Sequence, residues 1–278
     1  MIFKTILVHV DLSRHAPARI RAAAALANAH GAWLRGVAVT GIPRAVFPDG
    51  DDVQPHTLAE SHFEPLVDRA RQALALFETI VRETETTFDT RLVRDVAGDA
   101  IAQMARFADL VVASQNERDQ ASTGTALHLP ETLILKTARP VLIMPRTDPV
   151  LNLTPNALLA WDGSEEASFA VSAAVPLLKQ ARTVTVATLL DAGMTEADCR
   201  LDQAELLAYL GRHGIEPAFM TAASSATPGA DLLKLAGQHG HDLLVMGCYG
   251  RTRWREPCLG AASRTVLAEA GMPVLLAH

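Results

Sequence analysis

The sequence lacks the residue patterns that mark disulfide-rich, zinc-dependent or membrane-spanning proteins. It has three cysteines in 278 residues and none in C-x-x-C spacing, which favours a reducing compartment over a disulfide framework. It has no H-E-x-x-H motif, and His239 and His241 form its only close histidine pair, so we expect no metal site. No apolar run reaches the roughly 18 residues that a transmembrane helix needs.

Positive charge is also scarce. Lys and Arg total 25 against 31 Asp and Glu, a net charge of -6, so neither nucleic acid nor an anionic membrane is expected as a partner. The first residues, MIFKTILVHVD, are typical of a strand rather than a signal peptide. Since 49% of the residues are apolar, we expect a globular cytoplasmic protein whose length suits two domains.

Short apolar runs alternate with helical patterns along the whole chain. The runs are continuous, which is typical of strands buried on both faces of a parallel sheet in an α/β fold. Ser13 and Ser164 each follow a first strand and are the predicted N-caps of Ala-rich helices. The predicted strands are residues 6–8, 33–39, 91–93, 110–113 and 141–144 in the first half, and 158–161, 184–190, 218–221, 243–246 and 274–276 in the second.

The second half of the chain repeats the first. ADLVVAS at 108–114 matches HDLLVMG at 241–247, and ARPVLIM matches GMPVLLA, both at an offset of 133 residues. The acids that follow the two first strands, Asp11 and Asp162, are 151 residues apart, so the first copy has about 18 additional residues, which we assign to residues 41–63. We place the two domains at residues 1–147 and 155–278.

A glycine-spaced basic loop, GCYGRTRWREPCLGAAS at residues 247–263, follows the fourth strand of the second half. In a doubly wound sheet, ligands bind at the carboxyl ends of the strands where the strand order reverses, and Asp162 and Gly247 are predicted to meet there. Glycine lets the backbone approach a ligand closely, and the N-terminus of the helix that opens at Gly260 favours an anion. This combination suits a polyphosphate, with Asp162 accepting hydrogen bonds from a ribose or a base amine.

The spacing Gly247-x2-Gly250-x9-Gly260 resembles the G-2x-G-9x-G signature of ATP-binding universal stress proteins. V-D-L-S at 10–13 and W-D-G-S at 161–164 resemble the V-D-G-S that this family has after its first strand. The resemblance covers both halves and implies a tandem universal stress protein. Its fold would be two doubly wound, Rossmann-like α/β domains of the adenine nucleotide alpha hydrolase-like kind, each with a five-stranded parallel sheet of order 3-2-1-4-5.

The resemblance also implies an adenine nucleotide site in the second domain. The nucleotide would be ATP, or AMP or ADP, with Mg accompanying the phosphates, and no catalytic residue is predicted. Asp162 is expected near the adenosine, and the helix that opens at Gly260 near the phosphates. The residues expected to bind the nucleotide are Ala160, Trp161, Asp162, Leu189, Met246, Gly247, Gly250, Arg251, Gly260, Ala261, Ala262 and Ser263.

The sequence departs from the family pattern in two places. Ala261 stands where the family has Ser or Thr, which removes one phosphate contact worth about 1 kcal/mol, although Ser263 keeps a second hydroxyl. In the first half, Ser114, Glu117 and Leu127 replace the three glycines, so we expect no nucleotide there. Because the first copy makes the same turn without glycine, we interpret the glycines of the second copy as a requirement of the ligand.

Several residues keep two interpretations. The loop arginines Arg251, Arg253 and Arg255 either neutralise phosphates or form a solvated surface. Cys248 lies in the loop, but no resolving cysteine is near it in sequence, which disfavours a redox role. His9 ends the first strand of the first copy and either packs in the crevice or contacts a small ligand.

Three functions therefore stay open. The first is a stress-response regulator that binds ATP in its second domain, and the second is a nucleotide-free scaffold that acts through protein contacts. The third is a slow ATPase, although the chain has no G-x-x-x-x-G-K-[ST] motif. The resemblance further implies pairing of copies through PVLIMP and PVLLAH, within the chain or in a homodimer, and a regulatory partner protein that the sequence does not identify.

Overall fold

The structure, a computed structural model, describes residues 2–43, 63–116, 129–190, 193, 195–248 and 260–278. It consists of two compact units, Phe3–Arg139 and Pro140–His278, the latter together with Ile2. We call them the N-terminal unit and the C-terminal unit. This division assigns Val141–Met144, the predicted last strand of the first domain, to the C-terminal unit.

The N-terminal unit is a parallel sheet with helices between its strands. Its elements are β1 (Thr5–Val10), α1 (Ala16–His30), β2 (Trp33–Val39), α2 (Glu64–Arg82), β3 (Phe88–Val93), α3 (Ala97–Ala105), β4 (Leu110–Ser114) and α4 (Leu129–Lys136). The strand order is β3-β2-β1-β4, and each neighbouring pair is parallel. Ile6, Leu7 and Val8 of β1 are fully buried, which explains their continuous apolar run.

The start of α1 differs from the prediction that Ser13 caps it, and that prediction is wrong. The helix begins at Ala16, and its N-cap residue, His15, makes no capping hydrogen bond through its side chain. Ser13 instead donates from its Oγ to Asp11 Oδ1 at 2.6 Å and from its backbone N–H to the same oxygen at 3.0 Å. The backbone N–H of Ala16 bonds the carbonyl oxygen of Ser13 at 3.1 Å, and α1 begins three residues after Ser13 instead of directly after it.

The C-terminal unit has the predicted doubly wound topology. Its elements are β5 (Val141–Met144), β6 (Asn156–Ala160), α5 (Glu165–Leu178), β7 (Thr183–Leu190), α6 (Glu196–Arg212), β8 (Pro217–Ala223), α7 (Pro228–Gln238), β9 (Leu243–Gly247), α8 (Ala261–Glu269) and β10 (Val274–Ala277). The parallel strands run in the order β8-β7-β6-β9-β10, which confirms the expected order 3-2-1-4-5 for this copy.

A sixth strand extends this sheet beyond the five that were expected. β5 pairs with β10 in the antiparallel sense, with Leu142 opposite Leu275. PVLIMP and PVLLAH therefore pair with each other, as the family resemblance implied. The pairing satisfies the backbone groups of β10 that would otherwise form an open sheet edge.

The prediction that Ser164 caps the helix after β6 is confirmed. Ser164 Oγ accepts a hydrogen bond from the backbone N–H of Ala167 at 3.1 Å at the start of α5. Glu165 and Glu166 occupy the first turn, where negative charge complements the helix dipole.

Among the residues that the structure describes, no helix combines the length and the apolar character needed to cross a membrane. Within the same residues, no group of three or more His, Cys, Asp or Glu side chains could hold a metal ion.

Phe77 anchors α2 on the sheet of the N-terminal unit. Its ring is fully buried and lies edge-on to Phe88, with 5.6 Å between the ring centroids. The ring also fills the space over Gly36, where an added Cβ would lie 2.8 Å from Phe77 Cε1. Glycine on β2 thus makes room for the aromatic side chain that the helix presents.

Replacing this anchor should destabilise the N-terminal unit. Phe77→Ala is expected to lower the free energy of unfolding by about 3–5 kcal/mol, because it leaves a cavity in a closed core. Phe107→Ala, at a phenylalanine that is 71% exposed, is the control and should change it by less than about 0.5 kcal/mol. Urea denaturation followed by circular dichroism compares the two variants, and equal losses would contradict this packing.

Candidate functional site

A cavity of about 290 Å³ lies at the carboxyl ends of β6, β7 and β9; we call it the C-terminal cavity. β6 and β9 are parallel neighbours, with Leu159 opposite Val245. Asp162, just after β6, and Gly247, at the end of β9, therefore meet at one edge of the sheet and both line the cavity. This is the position at which doubly wound sheets hold ligands.

The structure brings together ten of the twelve residues predicted to bind a nucleotide. The ten that line the C-terminal cavity are Ala160, Trp161, Asp162, Leu189, Met246, Gly247, Gly260, Ala261, Ala262 and Ser263. The other two, Gly250 and Arg251, lie outside the described residues, as do Arg253 and Arg255.

Other lining residues were missed by the sequence reasoning. Ala187 lies two positions before Leu189 on β7, and residues at that spacing share one face of a strand, so the pleat alone could have identified it. Ser224 directly follows β8 and Pro228 opens α7. No sequence motif marks these two positions. They reach the cavity only because β8 pairs with β7 in the folded sheet.

Asp162 and Ser164 form a small hydrogen-bonded turn at the cavity mouth. Asp162 Oδ1 accepts from the backbone N–H of Ser164 at 3.1 Å and from its Oγ at 2.6 Å. The intervening Gly163 has φ of 73°, a left-handed conformation that glycine adopts without strain. The turn holds the exposed Asp162 carboxylate beside the start of α5.

The other side of the cavity is the N-terminus of α8. Gly260 is its N-cap residue and supplies no side chain to cap the first turn. A Cβ added to Gly260 would have no atom of the described residues within 4 Å. The backbone N–H groups of a first helical turn lack intrahelical acceptors and favour an anion.

Ser263 was expected to offer its hydroxyl to a phosphate, but it is only 3% exposed. Its hydroxyl hydrogen-bonds the thiol of Cys248, which is fully buried. Burial raises the pKa of Cys248 to about 12, and the hydrogen bond from Ser263 only partly opposes it. The thiol is therefore protonated at neutral pH, which argues against the redox interpretation of Cys248.

Gly247 has a structural reason to be glycine, and this corrects the interpretation that a ligand requires it. A Cβ at this position would lie 2.5 Å from the backbone N of Ala167 and 2.5 Å from the backbone C of Glu166. α5 begins at Glu165, whereas α1 begins at Ala16, which corresponds to Ala167. Because α5 begins two residues earlier than α1 does, its first turn reaches the end of β9, and a serine, as at Ser114 of the first copy, would not fit here.

The walls of the C-terminal cavity are mainly apolar. Asp162 carries the only formal charge among the described residues that line it. The indole Nε1 of Trp161 is buried and has no hydrogen-bond partner within the described part of the chain. Among the described residues, a bound molecule would therefore meet formal charge at Asp162.

The N-terminal unit has a cavity of its own at the equivalent strand ends. This N-terminal cavity measures about 440 Å³ and is lined from β1, β2 and β4. His9, Asp11 and Ser114 lie on its wall, at the positions that correspond to Ala160, Asp162 and Gly247. The two copies thus share the location of a cavity but not its chemistry.

A buried arginine organises the N-terminal cavity. Arg19 of α1 is 2% exposed and donates to the carbonyl oxygen of His9 at 2.8 Å, to Ser114 Oγ at 2.9 Å and to Asp11 Oδ1 at 2.9 Å. Burial alone would raise the pKa of Asp11, but Arg19, followed by His9 and Ser13, holds it well below its usual range. The result is a tightly bonded ion pair at the sheet edge.

This arrangement gives a physical reason to expect no nucleotide at this end of the first copy. Arg19 bonds both Asp11 and Ser114, whose counterparts in the second copy are the cavity residues Asp162 and Gly247. In the first copy, Arg19 therefore occupies the hydrogen-bonding groups that a nucleotide would need. The residue that corresponds to Arg19 is Ala170, which leaves the C-terminal cavity without such a contact.

His9 lies beside the ion pair, with its Nδ1 3.6 Å from Asp11 Oδ2. Burial lowers the pKa of His9 to about 4; Asp11 opposes this shift and Arg19 adds to it. The imidazole is therefore neutral at neutral pH.

Comparison with known proteins agrees with this geometry. Residues 155–278 match the sequence model of the Universal stress protein family. No match was found among curated proteins. The chain is similar to the crystal structure of a universal stress protein from Archaeoglobus fulgidus DSM 4304, with a TM-score of 0.75 and 16% identity over 98% of this chain and 97% of that one.

Two further solved structures are similar to the chain. A functionally unknown protein from Pseudomonas aeruginosa PAO1 has a TM-score of 0.60 and 14% identity, over 99% of this chain and 92% of its own. A universal stress protein from Archaeoglobus fulgidus in complex with dAMP is similar over 51% of this chain and 98% of its own, with 20% identity and a TM-score of 0.36. At such identities, the whole-chain likenesses show the doubly wound α/β fold.

The neutral, buried His9 should make the N-terminal unit sensitive to mild acid. Its pKa is about 4 in the folded chain against 6.5 in the unfolded chain, so the unfolded chain binds more protons between these values. The free energy of unfolding is therefore expected to fall as the pH is lowered from 6.5 toward 4. His9→Gln should reduce this fall by up to about 2 kcal/mol, since each pKa unit is worth about 1.4 kcal/mol.

Urea denaturation at a series of pH values measures the effect. His30, whose pKa burial also lowers, contributes in both proteins and cancels, while Asp11 titrates below this window. Phe107→Gln, at an exposed side chain that does not titrate, is the control and should keep the wild-type slope. Parallel pH profiles for wild type and His9→Gln would contradict the buried, neutral assignment.

Proposed function

We propose that the chain is a tandem universal stress protein whose C-terminal unit binds ATP, or the related AMP or ADP, in a regulatory role. The observation that carries the proposal is the C-terminal cavity, where Asp162, Gly247 and the N-terminus of α8 share one edge of the sheet. The family match over residues 155–278 supports the same assignment. We also propose a cytoplasmic location, which is supported by the two described cysteines, Cys199 and Cys248, both of which are free.

The walls and the mouth of the cavity suit different parts of a nucleotide. The apolar side chains of Trp161, Leu189 and Met246 would contact the base and the sugar face. The exposed carboxylate of Asp162 would accept hydrogen bonds from ribose hydroxyls or the base amine. The N–H groups at the start of α8 would face the phosphates.

Magnesium would come with the nucleotide rather than bind on its own. The described lining offers one carboxylate, Asp162, and Mg²⁺ prefers several oxygen ligands in octahedral geometry. The phosphates and water would supply most of them. With the sole carboxylate held in a turn by Ser164, we propose binding without efficient hydrolysis.

The competing function, a nucleotide-free scaffold, rests on Ala261. This residue opens α8 at the cavity and has no hydroxyl for a phosphate. Binding experiments separate the two functions, because the scaffold requires no affinity for ATP.

Asp162→Asn should weaken ATP binding about tenfold, because it removes one charge-assisted hydrogen-bond acceptor worth about 1.5 kcal/mol. The asparagine keeps the oxygen that Ser164 needs, so the turn should survive. Asp11→Asn, at the matching acid of the first copy, is the control and should leave the affinity unchanged. Isothermal titration calorimetry on folded, full-length proteins measures both.

Three other outcomes of this titration would each favour a different function or a different site. Absence of saturable heat at millimolar ATP would favour the scaffold and overturn the proposal. Equal weakening by Asp11→Asn would move the site to the N-terminal cavity. Release of phosphate coupled to bound ATP would replace the regulatory role with an enzymatic one.

Restoring the missing hydroxyl tests the phosphate end of the site. Ala261→Ser should tighten ATP binding about fivefold, the effect of one hydrogen bond worth about 1 kcal/mol. Adenosine, which has no phosphates, should bind both proteins equally. A gain for adenosine, or no gain for ATP, would show that the start of α8 does not face the phosphates.

A further inference from the structure

We propose that the N-terminal cavity is a second ligand site, and that its ligand is a small organic anion that carries several hydroxyl groups. This inference does not depend on nucleotide binding in the C-terminal unit. It rests on the described lining of the cavity, on the charge that the lining leaves uncompensated and on a buried hydroxyl without a partner.

The cavity has the place and the size of a ligand site. It opens at the carboxyl ends of β1, β2 and β4, between Val39 at the end of β2 and Ser114 at the end of β4. Its volume of about 440 Å³ falls within the 300–1,000 Å³ typical of small-molecule sites. Segments 44–62 and 117–128 are outside the described residues, and the site as proposed includes none of them.

The wall of the cavity is preorganised by the Arg19 network. Three hydrogen bonds between 2.8 and 2.9 Å fix the guanidinium against β1, β4 and Asp11. Because Arg19 is 2% exposed and fully engaged, it cannot reorient toward a ligand. Its function here is to neutralise Asp11, so this pair contributes no net charge to the cavity.

The remaining charge of the lining is positive. His9 is neutral at neutral pH, and the charge of Asp11 is compensated by Arg19. Arg69 of α2 therefore carries the one uncompensated formal charge among the described lining residues. It is exposed and has no ion-pair partner within the described part of the chain, in contrast to Arg71, which pairs with Glu64 and Asp68.

The hydrogen-bonding groups of the lining favour hydroxyls on the ligand. Thr40, directly after β2, is 6% exposed, and its Oγ1 has no hydrogen-bond partner among the residues that the structure describes. An unpaired buried hydroxyl costs about 1–3 kcal/mol, which a ligand hydroxyl could recover. Gln115 and Asn116, after β4, also line the cavity.

These polar residues are particular to the first copy. By the strand registers, Thr40 corresponds to Leu190, and His9 and Arg19 correspond to Ala160 and Ala170. Two cavities at the same place in the same fold thus have opposite linings. The first copy has lost the glycine motif and has gained a polar, positively charged wall, which indicates a different ligand.

Calorimetric titration of the full-length protein with three probes tests the proposal. Gluconate is a hydroxylated carboxylate, ribose 5-phosphate is a hydroxylated phosphate ester, and glucose is the uncharged control. We expect saturable binding of one or both anions at millimolar concentration or below, and none of glucose. Binding of only one anion identifies the charged group of the natural ligand as carboxylate or phosphate.

Variants locate the site. Arg69→Gln should weaken the anion about tenfold, whereas Arg71→Gln, at the neighbouring paired arginine, should leave it unchanged. Thr40→Val should weaken it several-fold through loss of one hydrogen bond. Binding should persist in Asp162→Asn and in the presence of saturating ATP.

Three results would overturn the proposal. They are absence of saturable binding by either anion, equal binding by glucose, and an affinity that Arg69→Gln and Thr40→Val leave unchanged. Displacement of the anion by ATP would also overturn it, because the anion would then share the nucleotide site. Failure of ATP to bind at all would leave this site unaffected and count only against the C-terminal proposal.

Discussion

Parallel pairing of the first and fourth strands is the constraint on which both cavities depend. In the C-terminal unit it joins β6 to β9, and in the N-terminal unit it joins β1 to β4. The strand order reverses at this pair, so the following helices leave toward opposite faces and open a crevice at the carboxyl ends. Burial of these strands on both faces supplies the apolar area that stabilises the pairing.

The two copies use this crevice in opposite ways. In the N-terminal unit, Arg19 connects the two strand ends through Asp11 and Ser114 and builds a rigid polar wall. In the C-terminal unit, α5 starts earlier and approaches Gly247 so closely that no Cβ would fit. The first helix therefore contacts the end of the fourth strand in two different ways. The N-terminal unit uses hydrogen bonds of Arg19, and the C-terminal unit uses close backbone packing at Gly247.

Much of the fold could be predicted because buried parallel strands leave continuous apolar runs. Their order, 3-2-1-4-5, was implied by the family resemblance, and the C-terminal unit has it. The lining of the C-terminal cavity was largely predictable as well, because Asp162, Met246 and Gly247 follow directly from strand ends. Whether those residues bind a nucleotide is a separate matter of chemistry, and it stays a prediction.

The missed features depend on contacts that are distant in sequence. Arg19 lies in an Ala-rich helix, and nothing local distinguishes a buried, triply bonded arginine from a solvated one. The need for glycine at Gly247 depends on where α5 begins, about 80 residues earlier in the chain. Ser13 and Ser164 both donate to the acid two residues before them, but α5 begins directly after Ser164 and α1 begins three residues after Ser13, so only Ser164 caps its helix.

The central claim is that one chain holds two crevices of different chemistry, of which only the second accepts an adenine nucleotide. A crystal structure of the full-length protein grown with a non-hydrolysable ATP analogue tests it most directly. The account predicts density for the nucleotide between Asp162 and the start of α8, and an unbroken Arg19–Asp11–Ser114 network in the N-terminal unit. Nucleotide in the N-terminal cavity, with Arg19 displaced, would contradict it.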